Sequence, residues 1–218
     1  MKYDPTSQKA PLPFSPFKSC TVPRPIGWLS SVSPDGVENL APYSQWQNLT
    51  FDPPMVMFSA NQYPDGRRKD TVLNAEQTGW FVWNMATYDL REAVNISAMA
   101  LPPDENEFDR CGVTKGYAEL APQVPLVAAS PVHFECRYLS THRLKGNSPV
   151  GTIDIVFAQV ERIHIKDDAI TEGKLDIPRL RPIARLGYYD YTVVTETFEM
   201  RIPGASEAEA AGLEGDPK

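Results

Sequence analysis

Apolar runs too short for helices, each closed by Pro, Gly or Asn, constrain the fold of this chain most. Met55-Val56-Met57-Phe58, Trp80-Phe81-Val82-Trp83 and Val132-His133-Phe134-Glu135-Cys136 are bounded in this way, and in the longer run Ile153 to Ile165 the residues Ile153, Ile155 and Phe157 alternate with others. Such runs read as strands. Ile26 to Val32 leads into Ser33-Pro34-Asp35-Gly36, where Pro sets φ at the first central position and Gly accepts positive φ, so Val37 begins the return strand of a hairpin. Many strands in one small chain favour a barrel, because closure removes exposed edges.

Two helical insertions interrupt the strands. The first is expected from Thr71 to about Gln77, with Asp70 as N-cap and Gly79 just beyond its end. The second is expected to start near Asp89, since Leu90, Ala93, Val94, Ser97, Ala98 and Leu101 recur at helical spacing, and to stop at Pro102-Pro103. Residues 1–20 carry Pro5, Pro11, Pro13 and Pro16 and read as an extended arm, suited to wrapping a neighbouring subunit. Residues 21–203 form the domain. Residues 204–218 are acidic and poor in large apolar groups, and read as a flexible tail.

With 218 residues and 42% hydrophobic content the chain can bury one ordinary core. Its formal charge of -7 and the lack of clustered Lys and Arg, the local spot Arg67-Arg68-Lys69 excepted, argue against a nucleic-acid surface. No apolar run is long enough to cross a bilayer and the start does not open a signal peptide, so a cytoplasmic location is expected. Cys20, Cys111 and Cys136 contain no CxxC pair and read as reduced thiols, and His133, His142 and His164 form no metal-ligand pattern. A Gly-rich dinucleotide loop is also missing, so any nicotinamide nucleotide would be held outside a Rossmann domain.

Three segments carry the chemistry. Arg67-Arg68-Lys69-Asp70-Thr71 sets cations, a hydroxyl and helix-opening amides together, which suits a phosphate; a solvated basic turn with Asp70 as cap fits the same residues. Asn39-Leu40-Ala41-Pro42-Tyr43-Ser44 looks wrong for the middle of a strand because Pro42 removes a ladder donor. Such irregular backbone can meet a planar, hydrogen-bonding ring, or it can be a bulged barrel corner with Tyr43 inside. Arg24, between Pro23 and Pro25, presents its guanidinium from a stiff loop, to an anion, to a partner subunit or simply to solvent. Ser59-Ala60-Asn61, at the exit of an apolar strand, reads as a turn or as a polar binding edge.

Pro23-Arg24-Pro25-Ile26-Gly27-Trp28, Asn39 to Ser44, Asp52-Pro53-Pro54 and Lys69-Asp70-Thr71 together resemble the flavin reductase-like family in wording, order and spacing. The likeness continues through Gly79 to Asn84, through Glu107-Phe108 with Gly112-Val113-Thr114, and through Ala184-Arg185-Leu186-Gly187, and covers roughly residues 20 to 200. It implies a mainly β fold with a few helices, a Greek-key split β-barrel that binds FMN. It places Lys69, Asp70 and Thr71, with Arg67, by the FMN phosphate, and Ser59, Ala60 and Asn61 near the ribityl and phosphate groups. Ala41, Pro42, Tyr43, Ser44, Gln45 and Trp46, with Asn48, would line the isoalloxazine, although Gln45-Trp46-Gln47 departs from the commoner family pattern.

The resemblance also implies a homodimer with flavin near the subunit boundary, which Arg24, Arg185 and Tyr189 would approach; core or dimer packing is the preferred role for Tyr189. The Gly-Asp-His phrase of some relatives is absent around His142, and no role is transferred to it. The expected activity is an NADH- or NADPH-dependent reductase that transfers hydride to FMN and passes electrons to oxygen or a partner monooxygenase. An oxygenase or electron-transfer protein that keeps its FMN is the alternative within the fold. A non-catalytic dimeric binding or assembly protein is the alternative outside enzymes.

Overall fold

A computed structural model describes residues 1–7, 9–101, 105–204 and 206. The expected helix stop at Pro102-Pro103, and the tail apart from Gly204 and Ser206, lie outside the described residues.

Seven strands form one antiparallel sheet: β1 (Gly27–Val32), β2 (Glu38–Tyr43), β3 (Trp46–Phe51), β4 (Pro54–Asn61), β5 (Trp80–Asn84), β6 (Val132–Leu144) and β7 (Ile153–Ile165). Their order across the sheet is β2-β1-β5-β6-β7-β4-β3. The two edge strands, β2 and β3, are consecutive in the chain and joined only by Ser44 and Gln45. In a flat sheet six spacings of about 4.8 Å would part them by about 29 Å, whereas three Cα steps reach about 11 Å. The sheet must therefore curl until its edges meet. The Ser59 amide donates to the Gln45 carbonyl (2.9 Å), which carries the β3–β4 ladder up to this connection, and the result is a barrel, as the strand pattern led one to expect, of the split kind that the family resemblance implied.

One apolar cluster fills the interior and receives side chains from all seven strands: Leu29, Tyr43, Trp46, Phe58, Phe81, Cys136 and Val156, with Val72 and Ala75 from a covering helix. Phe58 meets Tyr43 at 5.1 Å and Phe81 edge-on at 5.4 Å between ring centroids. Gly27 is required beside them. A β-carbon on it would stand 2.9 Å from Trp46 Cε3, so only a bare backbone leaves Trp46 room to stack on Trp83 (5.8 Å, 5°). A second cluster of Ile26, Trp28, Leu40, Val94, Phe108 and Val127 covers the other face of β1 and β2. Both faces of β1 are thus buried, which is why Gly27–Val32 shows no alternation.

The helices are α1 (Asp70–Thr78), α2 (Arg91–Ile96), α3 (Glu107–Cys111) and α4 (Ile177–Leu180). Asp70 is the first residue of α1 rather than its cap: Lys69, in extended geometry, is the N-cap and makes no side-chain capping bond. Gly79 ends α1 in the left-handed region (φ +81°), as expected. The second helix is shorter than its periodicity promised. A 3₁₀ turn at Tyr88–Leu90 precedes α2, which ends at Ile96; Ser97 is buried and Ala98 exposed.

Four strand expectations change. Asn39 to Tyr43 lies in regular β2, where Pro42 is tolerated because β2 is an edge. Ser59, Ala60 and Asn61 are not a turn but the end of β4, paired with Ile155, Asp154 and Ile153. The strand begun at Val132 runs on to Leu144 and includes His142, and the return strand after Gly36 begins at Glu38 instead of Val37.

Arg24–Pro25, Ile183–Arg185 and Tyr191–Val193 make a separate three-stranded sheet, with Tyr191–Val193 at its edge. The N-terminal arm is tethered to its own chain at this sheet. The Arg24 guanidinium donates to the carbonyls of Lys18 and Thr21, and Phe14 meets Tyr188 edge-on at 5.8 Å. Among the described residues no helix is long and apolar enough to cross a membrane.

Candidate functional site

A cleft opens beside the edge strand β2, between the start of α1, the loop that precedes it, the turn after α2, and α3. Asn39, Ala41 and Tyr43 project from one face of β2, as alternate residues must. Thr71, in the first turn of α1, fixes that strand to the helix: its buried hydroxyl accepts from Asn39 Nδ2 (2.8 Å) and from the Tyr43 hydroxyl (3.0 Å). Burial pushes the Tyr43 phenol far above its ordinary range, so it stays a donor. From the other side Glu107, first residue of α3, accepts the Leu40 amide (3.0 Å), occupying a ladder donor that the edge leaves open.

The basic run before α1 divides into three. Arg67 is exposed and held by Asp65 in its own turn (2.7 Å). Arg68 folds back onto the barrel, where Glu76 (2.6 Å) and the buried Asp154 (2.9 Å) take its charge, and Arg143 binds Asp154 from the opposite side (2.7 Å). Lys69 alone turns into the cleft. Its Nζ lies 3.4 Å from the centroid of the Tyr63 ring, and among the described residues it forms no ion pair. Burial pulls the Lys69 pKa down and outweighs the nearby Asp70 carboxylate, while burial, with Asp70 adding to it, raises Tyr63. Glu107 is likewise raised by burial, against the Leu40 amide that favours its anion.

A half-buried ammonium has shed part of its hydration and gains more from an incoming anion than a solvated one would. Beside it the opening amides of α1 have no side-chain cap, and a nine-residue helix directs the positive end of its dipole there. The edge strand adds backbone groups that no neighbouring strand occupies. Among the described residues no group of His, Cys, Asp and Glu is arranged to hold a metal ion. Lys69 and the uncapped start of α1 are suited to receiving an anionic, hydrogen-bonding group.

Of the residues singled out from sequence, Ala41, Pro42, Tyr43, Lys69 and Asp70 line this cleft, and Thr71 lies buried behind it. Trp46 does not face it: it is 5% exposed and stacked inside the barrel. Ser44 and Gln45 form the seam, Asn48 is exposed on β3, and Ala60 is buried. Asn61 binds the Val150 carbonyl (2.7 Å) near the barrel end. Arg24 and Arg185 face each other in register in the small sheet, apart from the cleft, and Tyr189 lines a separate groove. Tyr63 and Glu107 were not anticipated as site residues. Their signals were weak: a tyrosine opening a Pro-Asp-Gly turn, and a glutamate following the helix cap Asn106.

Seven antiparallel strands curled into a split barrel, with the start of α1 bonded to the edge strand β2, define the fold. The chain belongs to the flavin reductase-like family: the model of the flavin reductase like domain matches residues 19–195. It is 32% identical over 207 residues to the uncharacterized protein BH2278 of Halalkalibacterium halodurans, covering 95% of this chain and 99% of that one. The structure is similar to nitrilotriacetate monooxygenase component B of Bacillus cereus, with 29% identity, a TM-score of 0.83 and coverage of 92% and 98% of the two chains. A split-barrel-domain protein of Shewanella frigidimarina shares the fold at 20% identity and a TM-score of 0.73, over 87% and 90%.

Proposed function

We propose that the protein binds FMN in the cleft beside β2 and works as an NADH- or NADPH-dependent flavin reductase, as a homodimer that hands electrons to oxygen or to a partner monooxygenase. The observation that carries this reading is Lys69: an ammonium held on the Tyr63 ring, free of carboxylate partners among the described residues, at the uncapped start of α1. Family membership and the likeness to a monooxygenase component B support it. Lys69 and the Asp70 and Thr71 amides would hold the phosphate, with the β2 edge at Ala41 to Tyr43 beside the ring. In this reading a second copy completes the site beside the cleft, which has a volume of about 100 Å³.

When bound, FMN supplies the hydride-accepting ring, and that chemistry belongs to the cofactor. The protein's own share is binding and orientation. Lys69 offsets phosphate charge in a partly dry site. Thr71, Asn39 and Tyr43 keep β2 at a set distance from α1, and Glu107 holds the outer edge of β2 through the Leu40 amide. No acid-base triad is needed for this work.

The test is a titration of flavin-free protein with FMN, followed by visible absorbance and fluorescence. Saturable binding that Lys69→Ala weakens supports the reading. Equal affinity in the folded variant would refute the phosphate assignment, and no binding by the parent protein would favour the non-catalytic assembly reading.

A further inference from the structure

The last backbone hydrogen bond of the described chain runs from the Val194 amide to the Pro182 carbonyl (2.9 Å). Beyond it, residues 195–202 are neither helix nor paired strand, and they carry Phe198, Met200 and Ile202 at 84%, 82% and 59% exposure. Glu199 and Arg201, at the intervening positions, are ion-paired with each other. That is the two-residue period of an extended strand, apolar on one face and charged on the other. A lone strand leaves its ladder groups open and its apolar face wet, and three adjacent side chains of this size mark a surface that is covered in the working protein.

The chain carries a second open surface next to the first. Tyr191–Val193 is the edge of the three-stranded sheet, and beside it lies a groove of about 320 Å³ lined by Tyr88, Val94, Ile183, Tyr191 and Val193. Arg185, whose guanidinium binds the Tyr191 hydroxyl (2.7 Å) at this groove, has no carboxylate partner among the described residues, and neither does Glu196 of the arm have a cation. None of residues 195–202 lines this groove, although its wall includes Val193.

We propose that residues 195–202 are an exchanged arm that lies in the Tyr88–Val94–Val193 groove of a second copy of this chain, a surface assignment that rests on the homodimer proposed above and not on flavin chemistry. A two-fold axis at the Tyr191–Val193 edge sets each arm over the other copy's groove, so one partner covers both open surfaces of each chain. Contacts of this kind are self-complementary, as two-fold interfaces must be. An added strand on an open edge gains ladder hydrogen bonds while alternate side chains fill the groove. Eight extended residues reach about 26 Å, enough to cross it.

The experiment measures molar mass by light scattering over a dilution series for three forms: the full chain, a chain ending at Val194, and the full-length double variant Phe198→Asp, Met200→Asp. The full chain is expected to be a dimer. Both altered forms are expected to keep the folded circular dichroism spectrum and to dimerise at least a hundredfold more weakly. In a Cys20→Ser background, Asn95→Cys with Met200→Cys is expected to give a disulfide-linked dimer on mild oxidation. A full chain that is monomeric, altered forms that dimerise as tightly as the parent, or the absence of the cross-linked dimer overturns the assignment. FMN binding is titrated separately on the same samples. Its loss with the dimer unchanged counts against the flavin reading alone.

Discussion

The Lys69 ammonium stands 3.4 Å above the centre of the Tyr63 ring, and this pair sets the electrostatic character of the cleft. The ring faces the cation from one side and replaces some of its hydration with π-electron density. Arg67 also stands over the Tyr63 ring, 5.0 Å from its centroid, but it is exposed and paired with Asp65, while Arg68 is turned to Glu76 and Asp154. Replacing Lys69 by Ala is expected to weaken FMN binding roughly tenfold to hundredfold, the usual worth of one charge-assisted hydrogen bond. Lys69→Arg should recover part of the loss, since the charge remains. Titration of all three proteins at one ionic strength makes the comparison, and parity between Lys69→Ala and the parent protein contradicts it.

Thr71 joins two donors at one oxygen. In Thr71→Val the shape survives but the Tyr43 hydroxyl loses its acceptor while buried and Asn39 Nδ2 keeps only the longer bond to Ser31 Oγ (3.4 Å), at a cost of about 2 kcal/mol. Tyr43→Phe removes one donor and leaves Thr71 bonded to Asn39, so it should cost less, about 1 kcal/mol. Urea unfolding of the two variants ranks them; the opposite order would show that Thr71 is not the hub.

Gly27 and Trp46 share space that only one of them can fill. Gly27→Ala is expected to destabilise the barrel by about 1–3 kcal/mol through overpacking. Trimming the indole in Gly27→Ala, Trp46→Phe should relieve part of that strain, giving a combined effect smaller than the sum of the single ones. Strict additivity in thermal melts would mean the two side chains do not compete.

Asp154 binds Arg68 and Arg143 together. Burial drives its carboxyl pKa up, but the hydrogen bonds from Arg143 and Arg68 prevail and hold it below the usual range. A group depressed in the folded state stabilises it above the unfolded pKa, near 3.9, and that contribution fades as pH falls through the lower folded value. Stability from this cluster should therefore be flat from about pH 7 to 5 and decline below about 4. Asp154→Asn should cost about 2–3 kcal/mol at pH 7, below the range for fully buried pairs because Arg143 is half exposed, and should flatten the acid limb. An unaltered acid limb in Asp154→Asn unfolding curves would remove Asp154 from this role.

The fold was legible where local chemistry and tertiary structure agree. Ile153 to Ile165 alternates because one face of β7 packs inward, and the Ser33–Gly36 turn forces a hairpin whatever surrounds it. Ser59 to Asn61 misled because small polar residues suit a turn. Only pairing with a strand some ninety residues away makes them a ladder. In the same way Arg68 is drawn away from Arg67 and Lys69 by Asp154, distant in sequence, and Trp46 reads as a stacking surface until Gly27 and Trp83 are seen to enclose it. Lys69 and the β2 phrase were readable as candidates, and the fold brings them to one cleft. Glu107 was not, because its partner Leu40 lies 67 residues earlier and α3 has only five residues to announce itself.

The most direct test of the central claim is anaerobic addition of NADH or NADPH to the protein with FMN, followed at the visible flavin band. Bleaching by one of the nucleotides, with turnover of FMN in excess of protein, is the predicted result. FMN bound in the cleft with no bleaching by either nucleotide would contradict the reductase reading and leave a flavoprotein of different chemistry.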